Sequence, residues 1–217
     1  MTSSPDSATF GIWIAVCSGL FVLQAYRASR FLHTFKGPPL SVFQLAPVAL
    51  VYFICTGWLL TYPDSLSATT VWRSVGLLVF AVPMILTDLR CQWLPMRYTV
   101  AFWSGGLLSS ALPGAVLTWP EALKASVTAF CLSAAVRWVA NYRHRKERMG
   151  LGDVYLMAGL CAWMPWRSAC YAASGGLILC CVCAILTRET SKPFAPALFG
   201  YLSGVYLFFP QLLAGVL

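Results

Sequence analysis

Apolar positions in this chain come in long runs, separated by short polar segments. A run of roughly 20 mostly apolar residues is what a helix needs to cross a bilayer. Such runs fall at about 9–26, 40–62, 73–88, 98–119, 121–141, 152–166, 168–187 and 194–216, the third and sixth being short. The connections between them leave no room for an extramembrane domain. The pattern predicts an all-α integral membrane protein of about eight transmembrane helices, forming a single domain over residues 1–217. The first run reads as a retained helix and not as a cleaved signal peptide. Residues 1–9 hold no Lys or Arg, and Tyr26-Arg27-Ala28 is a poor cleavage site.

Composition makes lipid the natural solvent. Of the 217 residues, 59% are hydrophobic and 10% charged, with a mean hydropathy of +0.72. A soluble fold of this size cannot cover so much apolar surface. The net charge of +8 could suggest nucleic acid, but its distribution points to topology. Twelve of the 15 Lys and Arg residues fall in alternate connections: Arg27, Arg30 and Lys36; Arg90 and Arg97; Arg137, Arg143, Arg145, Lys146 and Arg148; Arg188 and Lys192. The intervening connections hold Arg73, Lys124 and Arg167. Cytoplasmic loops are rich in basic residues. The basic connections are therefore expected inside and both termini on the outer, periplasmic side. The run Arg143-His144-Arg145-Lys146 fits topology and anionic-lipid contact, and no nucleic-acid partner is expected.

Eight of the nine cysteines fall within predicted spans, and Cys91 falls in a connection. Cys180 and Cys183 spell a CxxC, but in mid-membrane with no second pair they read as small apolar filler. No metal, cofactor or structural disulfide is expected. Gly200-x-x-x-Gly204 reads as internal helix packing.

The seven acids narrow to two. Asp6, Asp64 and Glu121 lie in outer segments or at a helix end, and Glu147 and Glu189 sit among basic residues. Asp88 closes the third span and Asp153 opens the sixth, which by the charge topology puts both at the cytoplasmic, inner end of their spans. Ionisable groups at membrane depth are functional candidates, although Asp153 could simply cap a helix start. Two carboxylates within reach of each other share a proton. One can then activate water while the other protonates the departing amide nitrogen. The chain has neither HExxH nor GxSxG, the marks of other hydrolytic designs. Gly150 and Gly152 bracket the approach to Asp153, where glycine permits positive φ and the close approach of an extended peptide.

Three segments together resemble type IV prepilin peptidases, membrane aspartyl proteases of the GxGD type. They are Asp88-Leu89-Arg90-Cys91-Gln92-Trp93-Leu94-Pro95; Gly150-Leu151-Gly152-Asp153-Val154-Tyr155-Leu156, continuing through Ala162-Trp163; and Pro193-Phe194-Ala195-Pro196-Ala197-Leu198. The resemblance covers roughly 70–205, leaving 9–26 and 40–62 as additional N-terminal helices. It implies that Asp88 and Asp153 are the catalytic pair, with Gly150, Gly152, Pro95, Pro193 and Pro196 along the substrate. It also implies prepilin or pseudopilin substrates, each a short basic leader followed by an apolar helix, and a bacterial inner membrane location. Met96, Tyr155 and Ala195 depart from the family pattern, which has an acid or Asn, a Lys and a Gly there. Many members carry a zinc-binding, methyltransferase-linked domain between the first two helices. Here that connection is about residues 27–39 and lacks cysteine, so peptidase activity without N-methylation is expected. Pro196-Ala197-Leu198 also matches the PAL segment of signal peptide peptidases and presenilins, but Thr87 stands where those enzymes carry Tyr. The other classes that fit the pattern are a proton-coupled transporter and a non-catalytic assembly protein of the pilus or secretion machinery.

Overall fold

A computed structural model describes residues 7–61, 67–144, 149–188 and 192–208. Among these are eight α-helices and no strand: α1 (Ser7–Thr34), α2 (Val42–Thr61), α3 (Ala68–Cys91), α4 (Met96–Ser109), α5 (Trp119–His144), α6 (Leu151–Trp163), α7 (Trp166–Thr187) and α8 (Phe194–Phe208). Five of them, α1, α2, α3, α5 and α7, are long and apolar enough to cross a membrane. The others have 14, 13 and 15 described residues. A helix of 14 residues rises roughly 21 Å, short of a hydrocarbon core of roughly 30 Å.

Several predicted windows have different bounds in the structure. The first, 9–26, runs on to Thr34 in α1, so Arg27 and Arg30, expected in a connection, are helix residues. The third is long, not short, at 24 residues. Ser67 caps it by accepting the Thr70 N–H at 3.1 Å, and the polar start Thr70, Arg73, Ser74 is buried inside the bundle and not left in water. The 98–119 window contains a helix that stops at Ser109. Pro113 cannot extend a helix, and Gly114 turns the chain at φ 74°. The 152–166 window ends at Trp163, before Met164 and Pro165, and Pro165 starts α7.

Helix α3 is the axis of the fold. Leu77, Ala81 and Met84 form one buried stripe of it, in a core shared with Phe102 of α4, Leu156 and Leu160 of α6 and Leu198 of α8. Val75, Val79, Val82 and Leu86 form another, packed with Cys17, Phe21 and Ala28 of α1 and Tyr52 and Leu59 of α2. Both stripes follow the three-to-four spacing of a helix surface. A helix apolar on several sides belongs at the centre of a bundle.

Helix α6 is buried along its length, from Val154 to Trp163. It lies close to α4 because Gly159 leaves room for the Phe102 ring, where a Cβ would come within 2.5 Å of Cδ1. Trp163 closes its far end, stacking on Phe102 at 5.7 Å and donating its indole N–H to the Phe102 carbonyl at 2.8 Å. The Arg73 guanidinium donates to the Trp163 carbonyl at 2.7 Å. A positive group thus meets the unsatisfied carbonyl end of α6. Arg73, expected in a connection, is a buried helix residue, and Lys124 and Arg167 likewise lie within α5 and α7.

The glycine pair of α8 does not pack internally. A Cβ at Gly200 or Gly204 would meet nothing within 4 Å. Helix α8 is approached through Gly176 of α7, whose bare face lies against the Leu198 backbone.

Candidate active site

The site is assembled from three helix ends and the α3–α4 connection. Helix α3 stops just past Asp88. Gln92 adopts a left-handed conformation at φ 51° and returns its N–H to the Asp88 carbonyl at 2.8 Å. That closure sends Trp93 and Leu94 away from the helix axis, and Pro95 then opens α4 at φ −63°.

Asp88 is 4% exposed, and its Oδ2 accepts the Ala195 N–H at 2.8 Å. Ala195 is the second residue of α8, so the carboxylate occupies the free-donor end of that helix. A negative group is favoured there by the unsatisfied N–H groups and the helix dipole. Pro193 and Pro196 bracket the contact. Pro196 has no N–H to offer, which leaves Phe194 and Ala195 as the donors of the first turn.

Asp153 is half-buried at the third position of α6 and accepts the Gly150 N–H at 3.2 Å. The segment before it is held from α5. The Asn141 side-chain amide donates to the Met149 carbonyl at 3.2 Å and accepts the Met149 N–H at 3.3 Å. Gly152 sits directly on Leu94, and a Cβ there would lie 2.6 Å from Leu94 Cβ and 2.7 Å from its carbonyl oxygen. Its missing side chain is what lets α6 start against the Leu94-Pro95 turn. Gly150 has φ −70°, so the positive φ expected for this motif is not used. Among the described residues the positive-φ glycine is Gly114.

Both carboxylates line one cleft of about 560 Å³. Gln92, Trp93, Leu94 and Met96 form its wall on the α3–α4 side, Gly150, Leu151 and Gly152 on the α6 side, and Lys192 and Phe194 at the start of α8. Of the residues expected along a substrate, Gly150 and Gly152 are on this wall. Pro95 and Pro193 act on the backbone behind it. Pro196 faces a separate apolar groove of about 270 Å³ between α2, α3 and α8.

The departures from the family pattern have structural settings. Tyr155 packs on Trp103 and Phe130 at 5.9 and 5.4 Å. Met96 lines the cleft. Ala195 is fully buried while its N–H reaches Asp88. Sequence reasoning missed Asn141, a lone amide beside a basic run, and the Ala195 N–H, a backbone group with no side-chain signature.

Residues 75–188, just over half the chain and including both aspartates, match the model of the type IV leader peptidase family. The chain belongs to this family. It is 32% identical over 163 residues to the type 4 prepilin-like proteins leader peptide-processing enzyme of Escherichia coli O78:H11, an alignment covering 69% of this chain and 59% of that one. It is 32% identical over 148 residues to leader peptidase HopD of Salmonella typhimurium, covering 61% and 91%. It is 27% identical over 146 residues to the prepilin leader peptidase/N-methyltransferase of Pectobacterium carotovorum, covering 65% and 52%. The chain therefore spans little more than half of two of these relatives and nine-tenths of the HopD protein. No solved structure matches it. Helices α1 and α2 precede the family-matched segment, and the Ala195 N–H that bonds Asp88 follows it.

Proposed function

We propose that this chain is an aspartyl endopeptidase that removes the leader of type IV prepilins or pseudopilins at the cytoplasmic membrane face, without N-methylation. The observation that carries the reading is that Asp88 and Asp153 line one cleft in a chain of the leader peptidase family. With one carboxylate ionised and the other protonated, the first takes a proton from water as the water oxygen attacks the scissile carbonyl. The second gives its proton to the departing amide nitrogen as the C–N bond breaks. The Ala195 N–H orients Asp88 and the Gly150 N–H orients Asp153, so neither carboxylate has to reorganise during the reaction.

Eight crossings of a bacterial inner membrane, with the basic connections inside and both termini outside, bring a membrane-held substrate to this cleft. The chain acts as a single domain, 1–217, with a catalytic core of roughly 70–205. The seven residues 35–41 that join α1 to α2 support the absence of a methyltransferase domain at that point.

Co-expression with a tagged prepilin in a host lacking its own peptidase tests this, read as the mass of the pilin N-terminus. Loss of the leader with no added methyl group is expected for the native chain. An intact leader beside stably inserted enzyme would refute the proposal.

A further inference from the structure

Two open spaces meet beside Asp88, and the cleft that holds both carboxylates is one of them. The other is the apolar groove of about 270 Å³ between α2, α3 and α8. Ala81 and Val82 of α3 form its buried floor. Pro47 and Val51 of α2 form one rim, and Pro196 and Gly200 of α8 the other. Pro47, Val51 and Gly200 are exposed, so the groove opens sideways from the bundle. It follows α3 from Leu78 to Leu89, roughly 16 Å of helix rise and so about half the depth of a hydrocarbon core.

The active site fixes one end of this groove. Asp88 lines the cleft, and the next residue, Leu89, lines the groove. Phe194 lines the cleft and Pro196 the groove, and between them the Ala195 N–H bonds Asp88. On the α6 side the approach is filled, because the Phe102 ring of α4 occupies the room left by Gly159 and Leu156 and Leu160 are buried.

We infer that this groove holds the apolar helix that follows the scissile bond of the substrate. This rests on the proposed function above. A polar leader joined to an apolar helix needs two different surroundings. The cleft offers both carboxylates, Gln92 and Lys192, and the groove chiefly aliphatic, proline and aromatic side chains. A helix lying in the groove ends beside Leu89 and Pro196. The chain continuing from it passes over the Asp88–Ala195 contact into the cleft. At Gly200 a Cβ would meet nothing within 4 Å, so the α8 backbone is bare at that point of the groove. A bare backbone lets a second helix lie close.

Purified full-length native chain, Gly200→Leu and Gly19→Leu are compared on a prepilin and on the same prepilin with its apolar helix shortened from the far end. Gly19 of α1 is equally bare and lies outside the groove. For the native chain, shortening the helix raises KM. Gly200→Leu raises KM about tenfold on the full substrate with kcat changed less than about threefold, because the helix contact is the same in ground and transition states. It responds little to shortening, and Gly19→Leu behaves as the native chain. In a second measurement, p-benzoylphenylalanine replaces Val51 in the Asp153→Asn enzyme and crosslinks to the apolar helix of the uncut substrate. The same group in place of Ile178, exposed on α7, does not. Unchanged KM for Gly200→Leu, or a Val51 crosslink that captures only a second copy of this chain or only lipid, would overturn the inference alone. A native chain that cuts neither substrate would remove the proposed function, and the inference with it. Should Gly200→Leu not insert, the crosslink decides.

Discussion

The α3–α6 pair holds a side chain of charged type at each end, and the two ends are built in opposite ways. At one end Asp88 is taken out of water but opens on a cleft, shares it with a second carboxylate and is bonded by a helix N-terminus. At the other end Arg73 is 2% exposed, makes one hydrogen bond to the Trp163 carbonyl and lies 6.0 Å from the centre of that ring. Its Nε and Nη1 are buried without a partner. Burial is common to both, so burial alone does not mark a reacting group. What separates them is access: the acid faces space in which a substrate and water fit, and the base is enclosed by packed rings. On the proposed function, chemistry belongs to the first end and helix register to the second.

The largest effects that can break this comparison are at the dyad. Asp88→Asn and Asp153→Asn each keep the shape of the side chain but cannot exchange the proton. Each is expected to lower cleavage by at least about a thousandfold while membrane accumulation is unchanged, read by leader loss and immunoblot. Cleavage surviving either substitution would move the reaction away from this cleft. Next comes Gly152→Val. Its Cβ has to displace the Leu94 backbone, so α6 starts farther from the α3–α4 turn and Asp153 moves relative to Asp88. A shift on the order of 1 Å costs roughly a hundredfold in rate, chiefly in kcat. An unchanged kcat would mean that the close approach at Leu94 does not set the dyad.

That Asp88 and Asp153 share a cleft was legible in the sequence, because so few acids compete with them and the charge pattern sets their helix ends level. Element ends were less legible. Hydropathy carried the fourth span through Leu112 and Ala115 to Leu117, although Pro113-Gly114 sits among them, because an apolar turn scores like an apolar helix. Arg73 was placed in a connection for the converse reason. A window penalises any Arg, and only tertiary contact shows that a helix terminus receives this one. The Ala195 N–H could be reached by an indirect signal. A Pro-x-x-Pro start marks a helix N-terminus whose remaining donors invite an anion. Gly152 was expected to admit the close approach of a substrate backbone, and in the structure the chain that comes close is the protein's own Leu94.

Asn141→Ala is a smaller test, on the support behind Asp153. It removes both hydrogen bonds to Met149 and leaves the Gly150 approach held at its other side by α6. At roughly 1 kcal/mol net for each bond, thermal stability in detergent should fall by about 2 kcal/mol. Cleavage should fall severalfold, with substrate preference unaltered. A loss as large as that of the aspartates would make Asn141 part of the reaction itself.

The smallest expected change is the most informative about the enclosed end. Arg73→Met keeps the length and much of the volume of the side chain while removing a charge with two unpartnered nitrogens. Replacing a buried charged group by an apolar one of similar size is often neutral or stabilising, and here only the bond to the Trp163 carbonyl is lost. Stability should stay within about 1 kcal/mol of the native chain or rise, with cleavage close to native. Arg73→Ala, by contrast, leaves a cavity beside Trp163 and should destabilise by about 2–4 kcal/mol. If Arg73→Met instead abolished cleavage while the protein stayed folded, the charge would be coupled to the dyad along α3 and α6. The division between a reacting end and a register-setting end would then fail.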